Sequence, residues 1–428
     1  MQAHNGSGIF GMSGVAPESR EVRAFAPALV LLTILAFISY IDRSNLSTAA
    51  HLLKDELHIN DSQLGILLSA FFWTYAAMQF VSGWLVDRYD ANHVIAAGFL
   101  VWSLATSATG LVQGFTMLLA MRLLVGTGES VMVPAMSKIV RSNLAEHQRG
   151  FANGAWQSAV RFGPAVGTLG VGFLIIRYGW RPAFIGIGLA SLAWIPAWIK
   201  WIPCSAVRSD SHEVPDFAEI SRQRSFWGVC AGHSSDLYLL YFMLTLLPFY
   251  LAHERHLSIQ SMITIATGYY MLDGASALAT GWLTDFLIQR CHSATLVRKS
   301  AMAVGHLIAA VAVIGFAIAN AHWYLVSLAA IAIGEGIASA GIFAFSQALA
   351  GPNATGKWTG LQNGFANVAG IAAPTVTGFL VDRTGTFLAP LAITALVMAA
   401  GGLSWLFVVG RIEQVHWKSE KLRLSIKE

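Results

Sequence analysis

Charge is what this 428-residue chain has least of: 12% of its residues are Asp, Glu, Lys or Arg, against about 25% in an ordinary soluble domain. The shortage excludes a water-solvated globular surface, and a net charge of only +4 gives no nucleic-acid footprint. Cysteine is scarce too. Cys204, Cys230 and Cys291 are an odd number without C-x-x-C spacing, and two fall in expected cytoplasmic connections, so free thiols are expected rather than a disulfide framework or a metal site. No glycine cluster has a nucleotide-binding context, and the apolar segments hold no nucleophile–base pair or metal motif, so neither an ATPase nor an intramembrane enzyme is expected. The first 22 residues are Gly- and Ser-rich and lack the n-region, h-region and cleavage site of a signal peptide.

Apolar residues are abundant instead, at 55% of the chain, with a mean hydropathy of +0.57. Runs of about 20 such residues recur along the whole length, and in a bilayer they satisfy their backbone only as helices or closed barrels. Their length and lack of period-two alternation select helices. Twelve runs are expected to span: 27–49, 63–86, 93–112, 115–138, 150–176, 182–202, 226–251, 259–286, 299–320, 323–349, 359–381 and 386–409. The expected organisation is a mobile tail (1–22), a six-helix bundle (23–202), a cytoplasmic linker (203–225), a second six-helix bundle (226–410) and a cytoplasmic tail (411–428). With both termini cytoplasmic, 19 of the 27 Lys and Arg residues lie on the cytoplasmic side, as the positive-inside rule demands.

The two bundles echo each other. Gly83-Trp84-Leu85-Val86-Asp87 ends the second run and Gly281-Trp282-Leu283-Thr284-Asp285 ends the eighth; Gly172-Phe173-Leu174 in the fifth is matched by Gly378-Phe379-Leu380 in the eleventh. Parallel halves of this kind are an architecture of secondary transporters, with the substrate site near the midplane. Five charges interrupt the apolar runs of the first half: Asp42, Arg43, Arg122, Glu129 and Arg161. Each costs about 2.5 kcal/mol or more at bilayer depth, so they are expected to line an enclosed, water-accessible cavity.

Gly83-x-Leu85-x-Asp87-Arg88 resembles the loop 2–3 signature of the major facilitator superfamily, although Asp90, Asn92 and His93 stand where the family has a glycine and basic residues. Tyr40-Ile41-Asp42-Arg43-Ser44-Asn45-Leu46, Arg122-x-x-x-Gly126-x-Gly128-Glu129 and Gly370-Ile371-x-x-Pro374-x-x-x-Gly378 resemble the anion:cation symporter family, and the likeness runs over essentially the whole chain. It implies an all-α integral membrane protein of twelve helices in two pseudo-symmetric bundles, carrying a small organic anion together with protons and needing no other cofactor. A monomer in the inner membrane is expected.

Arg122 and Glu129 are two helical turns apart on nearly one face, about 10 Å in rise. Guanidinium stays charged when desolvated, so Arg43 and Arg122 suit permanent anion binding. A carboxylate can lose its charge, which makes Asp42 and Glu129 candidates for proton coupling; the competing reading makes them fixed counter-ions of the arginines. Gln157 and Arg161 share a face. Val160 stands where sugar-acid members of the family carry a glutamine that contacts substrate, and with Arg161 it points toward a compact carboxylate or sulfonate. Arg161 could instead pair with Asp236 or Asp273. The family resemblance also implies that Tyr75 and one of Asn363 and Asn367 contact the anion. By the same resemblance Asp87, Arg88 and Asp285 gate the cytoplasmic side, with Arg141 and Arg149 as candidate partners. His233 and His306 read as hydrogen-bonded core residues. Two alternatives stay open: anion exchange without proton coupling, and a membrane receptor that binds an anion without moving it.

Overall fold

The computed structural model of the protein describes residues 17–201, 215–253, 255, 257–290, 292–320 and 323–418. Residues 1–16 of the expected tail, 203–214 of the linker, 419–428, Cys204 and Cys291 lie outside them. Cys230 is a buried free thiol.

Among the described residues twelve long helical units follow one another: helix 1 (Pro17–Glu56), helix 2 (Asp61–Arg88), helix 3 (Ala91–Thr109), helix 4 (Phe115–Asn143), helix 5 (Arg149–Tyr178), helix 6 (Trp180–Trp201), helix 7 (Arg224–His253), helix 8 (Ile259–Gln289), helix 9 (Ala294–Ile318), helix 10 (Tyr324–Ala350), helix 11 (Thr355–Thr384) and helix 12 (Leu388–Val408). Among the described residues, ten of them are long and apolar enough to cross a membrane. The other two, helices 7 and 8, carry Asp236 and Asp273 near their middles. The polarity is inverted relative to a water-soluble fold: Phe173, Ile176, Leu307, Leu396 and Phe407 are exposed, while Asp42, Arg122, Glu129, Arg161 and Asp273 are buried. Lipid is the solvent that such an exterior requires.

Neighbour relations obey the repeat read in the sequence. Helix 1 packs on 5 as helix 7 packs on 11; 2 on 4 as 8 on 10; 3 on 4 and 6 as 9 on 10 and 12. Between the halves, helix 2 packs on 11 and helix 8 on 5. Several helices are interrupted where polar groups are needed. Helix 4 consists of Phe115–Glu129 and Met132–Asn143, and Pro134 accounts for the break, because its ring clashes with the carbonyl four residues earlier and it supplies no N–H. Helix 11 breaks after Ala366, where the Asn367 side-chain amide competes with backbone N–H groups for the Asn363 carbonyl at 2.8 Å.

The interface between the halves is built twice on one plan. At the end of helix 2, Asp87 accepts the backbone N–H groups of Gly356 (3.0 Å) and Lys357 (2.6 Å), which open helix 11. At the end of helix 8, Asp285 accepts those of Gly150 (2.9 Å) and Phe151 (2.6 Å), which open helix 5. Each carboxylate thus supplies acceptors to orphan N–H groups and sits at the positive end of a helix dipole. One turn earlier, Gly83 meets Gly356 and Gly281 meets Gly150, so closely that a Cβ on Gly281 would lie 2.4 Å from the Gly150 carbonyl oxygen. The echoed Gly-Trp-Leu-x-Asp segments are therefore contact surfaces. Small residues let the helices approach, and the carboxylate then locks them.

Cations beside these latches differ from expectation. Lys138 pairs with Asp87 at 2.9 Å, and Arg298 lies 4.0 Å from Asp285 while bonding Glu146 at 3.0 Å. Arg141 and Arg149 donate to the backbone carbonyls of Gln347 and Leu144, with Arg149 still within electrostatic reach of Asp285. Arg88 is exposed and, among the described residues, joins no ion pair at the latch.

Gly281→Ala is expected to destabilise the protein by about 1–3 kcal/mol through overpacking. Gly268→Ala on the same helix, where an added Cβ meets nothing within 4 Å, is expected to leave stability unchanged or slightly raised. Denaturant unfolding of the two variants in mixed micelles checks the difference.

Candidate functional site

Helix 1 delivers two opposite charges on adjacent residues, and the helical turn sends them to different neighbours. Arg43 reaches Glu129 at the break of helix 4: Nε donates to Oε1 at 2.7 Å, with a second nitrogen of the same guanidinium 2.5 Å from that oxygen. Ser39 donates to the same atom at 2.7 Å. Glu129 Oε1 therefore carries the whole load, and Oε2 has no donor. Asp42 faces helix 3, where it accepts from Trp102 Nε1 (3.1 Å) and Asn45 Nδ2 (3.0 Å). Asp42 and Arg43 consequently do not pair.

Aromatic rings box the Arg43 guanidinium. Its central carbon lies 4.4 Å from the Tyr40 ring centroid, 4.9 Å from Phe71 and 4.6 Å from Tyr75, distances at which a ring face attracts a cation. Phe71 is shared, because the Arg122 guanidinium lies 5.5 Å from the same ring. Arg122 differs from Arg43 in a decisive respect. It is 6% exposed, forms no ion pair among the described residues, and its Nε has no hydrogen-bond partner.

A chain of hydrogen bonds closes the site across the two halves. Arg43 donates to the Tyr241 hydroxyl (3.3 Å), Tyr241 to Asn367 Oδ1 (2.9 Å), Asn367 Nδ2 to Asn363 Oδ1 (3.1 Å), and Asn363 Nδ2 to the Tyr75 hydroxyl (3.0 Å). Tyr75, Asn363 and Asn367 also line a small cavity with Gln157 and Arg161. Its volume, about 20 Å³, accommodates a water molecule and not an organic anion. Gln157 donates to the Ser339 carbonyl at 3.4 Å.

Arg161 crosses to the second half, 3.3 Å from Asp273 and 3.5 Å from Asp236. Of the residues singled out from sequence, Arg43, Glu129, Tyr75, Asn363 and Asn367 thus form one connected group. Arg122 adjoins it through Phe71, Asp42 sits behind helix 1, and Arg161 is held by carboxylates at the cavity wall. His233 bonds Gln362 (3.1 Å) and His306 bonds Ser235 (3.0 Å), both inside the core. Sequence reasoning missed Ser39, Tyr241, Trp102 and Lys138, none of which stands out in its helix. Glu335 was the legible omission, a carboxylate in the middle of an apolar run.

The sequence pattern of the Major Facilitator Superfamily matches residues 32–374 and, overlapping, 229–427. The chain belongs to the Major Facilitator Superfamily. It is a multi-pass membrane transporter and not an enzyme. Similar proteins include the hexuronate transporter of Bacillus subtilis, 29% identical over 88% of this chain and 92% of that one. A probable sulfoacetate transporter of Cupriavidus necator is 29% identical over 89% and 93%, and a probable galactarate/D-glucarate transporter of Escherichia coli K12 is 28% identical over 91% and 95%. Among solved structures the superfamily transporter FucP, in its outward conformation, shares the fold with a TM-score of 0.70 at 17% identity, over 90% of this chain and 99% of that one.

Removing one member of a buried ion pair leaves the other charge uncompensated. Glu129→Ala is expected to cost about 3–5 kcal/mol of stability, part of which returns in Arg43→Ala/Glu129→Ala. Denaturant unfolding of the single and double variants reads the recovery.

Proposed function

We propose that the protein is a proton-coupled importer of a small organic anion, a carboxylate or sulfonate, working by alternating access between its two six-helix halves. The observation that carries this reading is Arg122: a buried guanidinium beside the site that, among the described residues, forms no ion pair and feels Glu129 and Asp42 only from beyond contact distance. A charge in that position calls for a counter-ion, and a substrate oxygen pair matches the guanidinium fork. Relatives named for hexuronate, sulfoacetate and galactarate/D-glucarate support an organic acid as the cargo. Val160 and Arg161 favour the compact end of that range.

The Arg43–Glu129 pair supplies a coupling device. While Glu129 is ionised it occupies Arg43; a proton on Glu129 removes the competing anion and frees Arg43 to join Arg122 around the substrate. Proton and anion therefore load together, and Asp42 is the second coupling carboxylate. Each elementary charge moved through 100 mV is worth about 2.3 kcal/mol, so two protons per monoanion make uptake electrogenic and concentrative. The chain works as a monomer in the cell inner membrane, termini and linker in the cytoplasm. In that orientation the Asp87 and Asp285 latches close the cytoplasmic side, and entry of substrate proceeds by loosening the hydrogen-bonded chain from Arg43 to Tyr75.

Reconstituted protein is expected to accumulate sulfoacetate or a hexuronate when a proton gradient is applied, and to stop when gradient and membrane potential are collapsed. Uptake indifferent to that collapse, with counterflow retained, would assign the protein to anion exchange. Anion binding without any flux would make it a receptor. Arg122→Ala is expected to weaken binding of the transported anion by about 10–150-fold, the loss of charge-assisted hydrogen bonds worth roughly 1.5–3 kcal/mol. Ligand-induced thermal shifts measure it, and an unchanged shift removes Arg122 from the site.

A further inference from the structure

Three carboxylates of the second half converge on one guanidinium of the first. Asp236 of helix 7, Asp273 of helix 8 and Glu335 of helix 10 are at most 1% exposed, as is Arg161 of helix 5. Arg161 Nε donates to Asp273 Oδ2 at 3.3 Å, its NH2 nitrogen lies 3.5 Å from Asp236 Oδ2, and Glu335 is within electrostatic reach of it. With every acid ionised the cluster carries two uncompensated negative charges at bilayer depth.

Among the described residues, Arg161 is the one cation whose charge reaches these acids. Tyr269 donates its hydroxyl proton to Glu335, and Tyr270 and Tyr40 lie within electrostatic reach of the cluster. His233, which also lies within electrostatic reach of Arg161, is hydrogen-bonded at Nδ1 to the Gln362 amide. Both oxygens of Asp236, Oδ1 of Asp273 and Oε1 of Glu335 are buried and have no hydrogen-bond donor. An ionised carboxylate without donors is costly in such a place, whereas a protonated one brings its own donor to a neighbouring oxygen. A metal ion is not the ligand indicated: among the described residues no such side chains converge with metal-ligand geometry.

We propose that Asp236, Asp273 and Glu335 form a second proton-binding site, distinct from Asp42 and Glu129, whose occupancy sets how firmly Arg161 is held. Arg161 already lines the cavity with Tyr75 and Asn363. Protons on the cluster remove its counter-charges and turn the guanidinium toward an anion; their departure reclaims it and expels the anion. This last step rests on the transport reading, while the proton site itself does not. Across the interior, Arg43, Arg122 and Arg161 face five carboxylates, so an anionic cargo enters a net negative space unless protons accompany it.

Infrared titration of the full chain in lipid, in an Asp42→Asn/Glu129→Gln background, tests the proposal with protons as the only ligand. A protonated-carboxyl C=O band is expected at neutral pH, lost on adding Asp236→Asn, Asp273→Asn and Glu335→Gln. Arg161→Gln in the same background is expected to strengthen it, since loss of the positive charge favours the neutral acids. Should the combined variant not fold, the single Asp236→Asn and Glu335→Gln variants each diminish the band. No band in the background, or one unaltered by every substitution, overturns the proposal. Because no substrate is present, this failure is separate from failure of proton-driven uptake.

Discussion

A charge inside a membrane has to be answered by another charge, and the interior of this protein is arranged around that constraint. Arg43 is answered by Glu129 and Arg161 by Asp273 and Asp236. Arg122 is buried too and, among the described residues, joins no ion pair, with Glu129 and Asp42 only within electrostatic reach. The same low-dielectric setting that makes an unpaired guanidinium costly makes it selective for an anion. On the proposed reading, the Arg43–Glu129 pair is where a proton and an anion would compete for one guanidinium.

The halves are held together by a different chemistry. Asp87 and Asp285 bond backbone N–H groups at helix N-termini, so the latch depends on helix position as much as on side-chain charge. Glycine contacts beneath each carboxylate bring the helices close enough for those bonds to form. Any motion that parted these helices would break the two N–H bonds at each latch together. Such a contact favours two discrete arrangements over a continuum.

Breaks in helices 4 and 11 connect fold and site. Glu129 ends the first segment of helix 4, and Asn367 follows the first segment of helix 11. Backbone irregularity at membrane depth is tolerated where it lines a polar interior. These are the positions from which polar side chains reach the centre from both halves.

Much of the architecture follows from the chain itself. Apolar runs of spanning length dictate helices, because bilayer hydrocarbon offers no partner for backbone N–H and C=O groups. The recurring Gly-Trp-Leu-x-Asp segments announced two related halves, and the cost of intramembrane charge singled out Asp42, Arg43, Arg122, Glu129 and Arg161. Pairing of Arg161 with Asp273 or Asp236 was one alternative the sequence offered; the other pairings were beyond it. That Arg43 takes Glu129 while its neighbour Asp42 turns to Trp102, that Lys138 partners Asp87, and that Tyr241 joins Arg43 to Asn367 all depend on side chains far apart in the chain. Local sequence sets the direction in which each side chain leaves its helix; only the packing of helices from both halves determines what it meets.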